Sequence, residues 1–375
     1  MVSREAETSA SRARYVMVGG FLGAGKTTAL LRLAERYRDQ GLRVGLITND
    51  QSVGLVDTTM LANHDFPVAE ITGGCFCCKF NSLTEAAEEL SADDRPDVFL
   101  AEPVGSCTDL VATVAYPLRR MYGEKFAIAP FSVLVDPVRA ERILGLTSGK
   151  SFSPKVVYIY RKQLEEADVI VVNKRDTLDE ERVRRLTGAL KSGFPQAKIV
   201  CTSARDGTGI DEWARLIEGG EQGSRPAMEV DYDTYADGEA LLGWVNLTAS
   251  VNAPGPFDGN AFVDTLMSAL QGRLGGVEVA HLKMTLSPYE GHDLAVMNLT
   301  RTDGTAEASH ELQDGVESGE LIVNLRAEGD PEVLKDAVLD VLTATAAAFG
   351  LEHDVEHAEA FRPGRPVPTH RDTNG

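Results

Sequence analysis

From residue 15 to about residue 205 the chain alternates short apolar runs with longer amphipathic stretches. YVMVGGF (15–21) is a continuous apolar run of the kind a buried strand carries, followed by a glycine-rich turn. Helical periodicity then runs from about Lys26 to Gln40, where Gly41 is placed to end it. RVGLITND (43–50), DVFLAEP (97–103), FSVLVDP (131–137), ADVIVVNK (167–174) and AKIVCTSA (197–204) are further short β-branched runs separated by helical segments. This is the pattern of a parallel sheet covered on both faces. NSLTEAAEEL (81–90) reads as another helix, with Ser82 and Glu85 at capping-box spacing.

Glycine, proline and charge interrupt the pattern near residues 218–229, which reads as a linker. Beyond it, strand-like runs at 241–251, 277–286, 292–300 and 320–328 accompany two helical segments, 260–271 and 331–349. They predict a separate, smaller α+β domain over residues 230–350, about 120 residues on the domain-size prior. Residues 1–13 read as a disordered lead and 351–375 as a proline-rich, extended tail. Length alone suggests two domains. The first, residues 14–217, carries the parallel-sheet pattern.

Composition narrows the classes of partner. The net charge of −20 argues against nucleic acid and anionic membranes. No apolar run reaches the roughly 18 residues that span a bilayer. The polar start is unlike a secretory signal, and five cysteines are an odd number for a disulfide framework. A reducing, cytoplasmic setting is expected.

GGFLGAGKTT contains Gly20-x-x-x-x-Gly25-Lys26-Thr27, a P-loop between a predicted strand and a predicted helix. Gly20, Gly23, Ala24 and Gly25 would wrap backbone N–H groups around phosphate oxygens, with Thr28 beginning the helix beside them. Lys26 would reach the β- and γ-phosphates and Thr27 would ligate Mg²⁺. Glu102, ending a strand, is the candidate second Mg²⁺ partner, and the Gly105 N–H would read the γ-phosphate. Asn173-Lys174-Arg175-Asp176, followed by Ser203 and Ala204 after the next run, is a guanine site. Asp176 accepts from the N1 and N2 edge that adenine lacks, so GTP is expected over ATP.

EITGGCFCCKF (70–80) puts Cys75, Cys77 and Cys78 within four positions. Adjacent cysteines pair poorly as disulfides, and thiolates suit Zn²⁺ and similar ions. Three sulfurs leave one position of a four-coordinate ion open or filled from elsewhere, with Asp50, Asp57 and Glu70 as candidate supplements. The following helix and Lys79 are expected to acidify the thiols. Packing of three small residues is the alternative. Cys107 and Cys201 read as buried small hydrophobes, Asp136 as a turn cap, and His281 as a core or interface residue. His353 and His357 would share a face were 352–361 helical, and read as a solvated helix end.

These motifs, in this order, resemble the CobW-type GTPases of the CobW/HypB/UreG family over roughly residues 14–215. The resemblance implies a P-loop GTPase domain followed by a smaller CobW C-terminal-like domain. It also implies a GTP-hydrolysing metallochaperone that carries zinc or cobalt to a metal-requiring client protein. Where the family carries Asn-Glu-Phe-Gly-Glu, this chain reads Asn49-Asp50-Gln51-Ser52-Val53. Asp50 is the candidate for positioning the attacking water, alongside Lys26 in catalysis. The alternatives are a nucleotide-gated interaction protein without metal, or an ATP-dependent small-molecule kinase. A homodimer stays open. The second domain, with no phosphate motif beyond residue 229, is expected to carry partner or cargo specificity and no nucleotide chemistry.

Overall fold

The computed structural model describes residues 12–49, 66–92, 94–291 and 293–374. Asp50, Asp57 and the Gln51–Val53 departure lie outside them, as does most of the expected disordered lead. The apolar runs of the first half form β1 (Ala13–Gly20), β2 (Val44–Asn49), β3 (Val68–Ile71), β4 (Val98–Glu102), β5 (Phe126–Ile128), β6 (Ser132–Val135), β7 (Val169–Val172) and β8 (Lys198–Cys201). Their order is β3-β2-β4-β1-β6-β7-β8, with β5 also pairing β1, and every pair is parallel. Helices cover both faces, so strands such as VIVV of β7 are buried at every position. The C-terminal ends of β1, β2, β4 and β7 therefore open side by side, where parallel sheets bind ligands.

The second half forms an antiparallel sheet of β9 (Leu242–Phe257), β10 (Glu278–Pro288), β11 (Ala295–Leu299), β12 (Glu307–His310), β13 (Val316–Glu328) and β14 (Glu352–Phe361), in the order β12-β11-β10-β13-β9-β14. Period-two alternation divides its faces. Val245, Leu247, Leu282, Met284, Val323 and Leu325 pack under the helices Gly259–Arg273 and Pro331–Phe349. Trp244, His281, Lys283, Asn324 and Arg326 fall on the opposite face, toward the first sheet.

Two expectations are corrected here. Residues 352–361 pair with β9 as a strand, so His353 and His357 share no helical face, and the second sheet extends past residue 350. An alternating exposed pattern on an edge strand mimics a polar helix in composition. The helix after the cysteines runs Phe80–Glu89, so Ser82 lies inside its first turn and forms no capping box.

Between the units, Arg139 is fully buried and stacks over Phe21 and Phe152. It donates to the Leu22 carbonyl at the P-loop and to Ala280 and Thr300 carbonyls of the second sheet. A buried cation donating to carbonyls of both units pins the P-loop against the second sheet.

Candidate nucleotide and thiol sites

A cavity of about 590 Å³ lies where the two sheets face one another. One wall is the P-loop with Gly23, Gly25, Lys26, Thr27 and Thr28, the strand ends Thr48, Asn49 and Glu102, then Gly105 and the Asn173–Thr177 segment. The other wall comes from the second sheet, through residues such as His281, Lys283 and Arg326. The second domain thus borders the cavity that the P-loop opens into. Its polar face roofs the cavity, and no phosphate motif advertises this because the contributing positions are scattered over five strands.

Local geometry explains the cradle. Gly25 has φ +85°, and a Cβ there would come within 2.6 Å of Asn173 Nδ2, so the turn needs glycine both for backbone and for space. Asn173 donates to the Ala24 carbonyl at 2.9 Å and accepts from the Ala204 N–H at 3.0 Å. One buried amide therefore ties the P-loop to the loops at Asn173 and Ala204. Lys174 sits at φ 53°, donating to Gly23 O at 3.0 Å and pairing with Asp136 at 2.8 Å. Asp136 caps the helix Pro137–Ile143 as expected. Burial disfavours its charge, but Lys174, Arg139 and Arg301 outweigh that and hold its carboxyl well below the usual range. Arg32, unflagged by any motif, donates to the carbonyls of Ala204 and Arg205.

Thr27 Oγ1 lies 3.3 Å from Glu102 Oε1, and Lys26 Nζ lies 3.6 Å from the same oxygen. Thr48 is paired in register with Glu102, and its buried hydroxyl has no hydrogen-bond partner among the described residues. These oxygens suit a hard divalent cation. Gly105 presses on the P-loop, where a Cβ would meet the Leu22 backbone N at 3.0 Å. Asp176 lines the cavity beside Arg205, 3.8 Å away. Ala204 also lines it, while Ser203, Gly20 and Ala24 are outside the lining residues.

The second site begins at Asn49. Its side chain donates to the carbonyls of Ile71 and Gly74, at 3.0 and 2.7 Å, and accepts from the Phe76 N–H at 2.8 Å. Three hydrogen bonds from one strand-end residue in the cavity wall thus shape the cysteine loop. The Sγ atoms of Cys75, Cys77 and Cys78 lie 2.9, 3.2 and 3.7 Å apart, Cys75 and Cys77 being buried. Among the described residues they are the one group of three or more ligating side chains close enough to share an ion. Acidification is uneven, contrary to expectation. The Cys75 thiol is pushed well down by its interactions with Cys107, Cys77 and Cys78. Cys77 rises, and Cys78 is pushed up to about 11, each chiefly through Cys75.

The C-terminal tail straps over this pocket. Val367 N–H points at Cys78 Sγ at 3.3 Å, and Thr369 N–H donates to the Cys77 carbonyl at 2.8 Å. Arg371 pairs with buried Asp109 at 2.7 Å. Proline-rich composition gave no sign of this docking.

The family model for the CobW/HypB/UreG nucleotide-binding domain matches residues 14–201. The chain belongs to this family. The chain is 26% identical over 212 residues to the zinc-regulated GTPase metalloprotein activator 1 of Dictyostelium discoideum, covering 49% of this chain and 44% of that protein. It is 29% identical over 180 residues to the zinc chaperone YeiR of Escherichia coli, covering 46% and 50%. The chain therefore spans about half the length of these curated relatives. The crystal structure of Zn(II)-bound YjiA GTPase from E. coli is 15% identical and covers 90% of this chain and 99% of that one, with a TM-score of 0.39. Among the described residues no helix is long and apolar enough to cross a membrane.

Proposed function

We propose that this chain binds and hydrolyses GTP and uses the cycle to take up and release a transition metal, zinc or cobalt, on Cys75, Cys77 and Cys78. The cargo would pass to a metal-requiring client protein. Lys26 and the P-loop amides would bind the phosphates and stabilise charge developing on the transferred group. Thr27 and Glu102 would hold Mg²⁺, which neutralises phosphate charge when bound. Gly105 N–H would contact the γ-phosphate. Asp176 would select guanine, with Asn173, Lys174 and Ala204 fixing its loop and Ser203 supporting it from behind. Asp50, one residue past Asn49, remains our candidate for orienting the attacking water.

The observation that carries this reading is the Asn49 side chain. It stands in the wall of the nucleotide cavity and holds the backbone of the cysteine loop by three hydrogen bonds. A shift at the end of β2 on γ-phosphate binding must either move that loop or break those bonds. Nucleotide and metal would then be linked, each altering the other's affinity by the same factor.

The test is hydrolysis of GTP against ATP by the full chain, with metal content measured on protein purified without a tag. GTP selectivity with about one ion per chain, lost in the Cys75→Ser/Cys77→Ser/Cys78→Ser variant, is expected. GTP turnover without thiolate-bound metal would reduce the protein to a nucleotide-gated interaction module, and a preference for ATP would overturn the base-site assignment.

A further inference from the structure

Of the three clustered thiols, one faces outward. Cys75 and Cys77 are 7% and 1% exposed, whereas Cys78 is half-buried. The way in or out of the trio therefore passes Cys78, and the C-terminal tail lies across it. Val367 N–H stands 3.3 Å from Cys78 Sγ. Thr369 N–H donates to the Cys77 carbonyl at 2.8 Å, and Thr369 Oγ1 donates to the Cys78 carbonyl at 3.1 Å. The rings of His370 and buried Phe80 pack nearly at right angles, their centroids 5.0 Å apart. The tail thus grips the cysteine loop at the outward thiol and at the helix that follows it.

The next tail residue is held by a different part of the fold. Asp109 is 1% exposed and has φ 65°, a left-handed backbone that few residues other than glycine adopt. Its carboxylate accepts from Tyr232 Oη at 2.7 Å and pairs with Arg371 at 2.7 Å. The segment carrying Asp109 is braced from outside. Gln163 Nε2 donates to the carbonyls of Gly105 and Cys107, and buried Glu166 accepts from Thr108 Oγ1 and the Val111 N–H. Asp372 N–H then donates to the Ala112 carbonyl at 2.8 Å. The anchor is buried and fixed, whereas Val367, Thr369, Arg371 and Thr373 are exposed. A segment held by spaced polar contacts, with little apolar surface beneath it, opens locally at far lower cost than the fold it lies on. The Arg371–Asp109 pair opposes that opening, because withdrawing Arg371 strands a buried carboxylate.

Resting on the metal-carrier reading above, we propose that residues 367–373 are a strap that must lift for an ion to enter or leave the thiol cluster, with the Arg371–Asp109 pair as its latch. Closed, the strap sets its N–H groups against Cys78 Sγ and the Cys77 carbonyl and retains the ion. Open, it leaves Cys78 accessible to a ligand of the client protein.

Iodoacetamide labelling of the reduced, metal-free full chain reads the strap directly. Cys201, half-buried at the end of β8, is the internal reference. Arg371→Ala breaks the latch from the tail side. Asp109→Asn breaks it from the anchor side while keeping a residue that tolerates positive φ. In both, the peptide carrying Cys75, Cys77 and Cys78 should label at least about 10-fold faster than in the wild type, as loss of a charge-assisted pair implies. Cys201 should label unchanged, and Arg371→Lys, which keeps the charge, should fall between. Equal labelling of the trio in all these proteins would overturn the strap. Withdrawal of Zn²⁺ from the loaded chain by a chelator should accelerate in the same order, and a rate indifferent to Arg371 would overturn the gate. A wild type that holds no Zn²⁺ on its thiols would overturn the carrier reading instead, with the labelling still deciding the strap. Should the variants loosen as a whole, seen as faster Cys201 labelling, hydrogen exchange of the wild type decides. Protection of the Thr369 and Asp372 amides by at least about 10-fold supports the strap, and exchange at the free-chain rate refutes it.

Discussion

At the phosphate end of the first domain the chain collects positive groups: glycine-turn N–H donors, Lys26, and Lys174 held by Asp136. At the thiol end it collects Cys75, Cys77 and Cys78, with Glu239 and Glu166 buried in the same region. The cradle's donors suit an anion and come from a few local motifs. The thiol pocket is made for a cation and is assembled from distant pieces: the cysteine loop, the segment after β4, the helix Tyr232–Ala240 and the C-terminal tail. The cradle's charges are mutually satisfied within the protein. The pocket's buried acids are instead pushed toward their neutral forms by burial, with Glu166 accepting from Thr108 Oγ1 and the Val111 N–H and Glu239 accepting from the Ser106 hydroxyl.

Removing the charge at the heart of the cradle should have the largest effect. Lys26→Ala should lower GTP turnover by at least about 10³-fold, since Lys26 faces the developing phosphate charge. Metal binding by the thiols in the GDP state should persist. Loss of both together would dissolve the distinction between the two sites. Asp176→Asn should weaken GTP binding by about 2–3 kcal/mol by presenting a donor to guanine's donors. Xanthosine triphosphate, with an acceptor at that edge, should be relatively favoured, as isothermal titration would record. Unchanged GTP affinity would move the base site elsewhere.

The pocket's buried acids should make its side of the molecule pH-sensitive. Burial pushes the Glu166 carboxyl up to about 8 from an ordinary 4.5. With the folded value raised, the native state holds the proton more tightly than the unfolded chain. The associated stability is fully present below about pH 4.5 and is lost as pH rises toward 8. The slope is at most about 1.4 kcal/mol per pH unit. Glu166→Gln should flatten that dependence in denaturant unfolding between pH 5 and 8, whereas an equal slope in both proteins would show that Glu166 is ionised in the fold. The smallest effect is expected at the joint between the regions. Asn49→Ala should leave GTP and metal binding each measurable but reduce their coupling by about 0.5–2 kcal/mol. Full coupling in that variant would place the linkage on another path.

The same contrast explains what could be read from the sequence. Gly20, Gly25, Lys26, Thr27 and Asp176 announce themselves because their roles follow from contiguous spacing, and the strand ends that carry them are continuous apolar runs. Cys75, Cys77 and Cys78 are equally visible as a cluster. Cys107 reads as a buried small residue, and the structure places it in the hydrophobic core. Arg139 was silent because its carbonyl partners lie more than 100 residues away. The strand Glu352–Phe361 was missed because pairing with β9, and no internal period, decides its conformation. The tail's contacts with Cys77 and Cys78 depend wholly on tertiary proximity.

The central claim is that nucleotide and metal sites are linked, and one measurement addresses it most directly. Zn²⁺ affinity of the full reduced chain should be determined by competition with a chelator, once saturated with GDP and once with a non-hydrolysable GTP analogue, both with Mg²⁺. The account predicts affinities differing by about 5- to 150-fold, and the same factor in GTP-analogue affinity with and without Zn²⁺. Equal Zn²⁺ affinity in the two nucleotide states would contradict it.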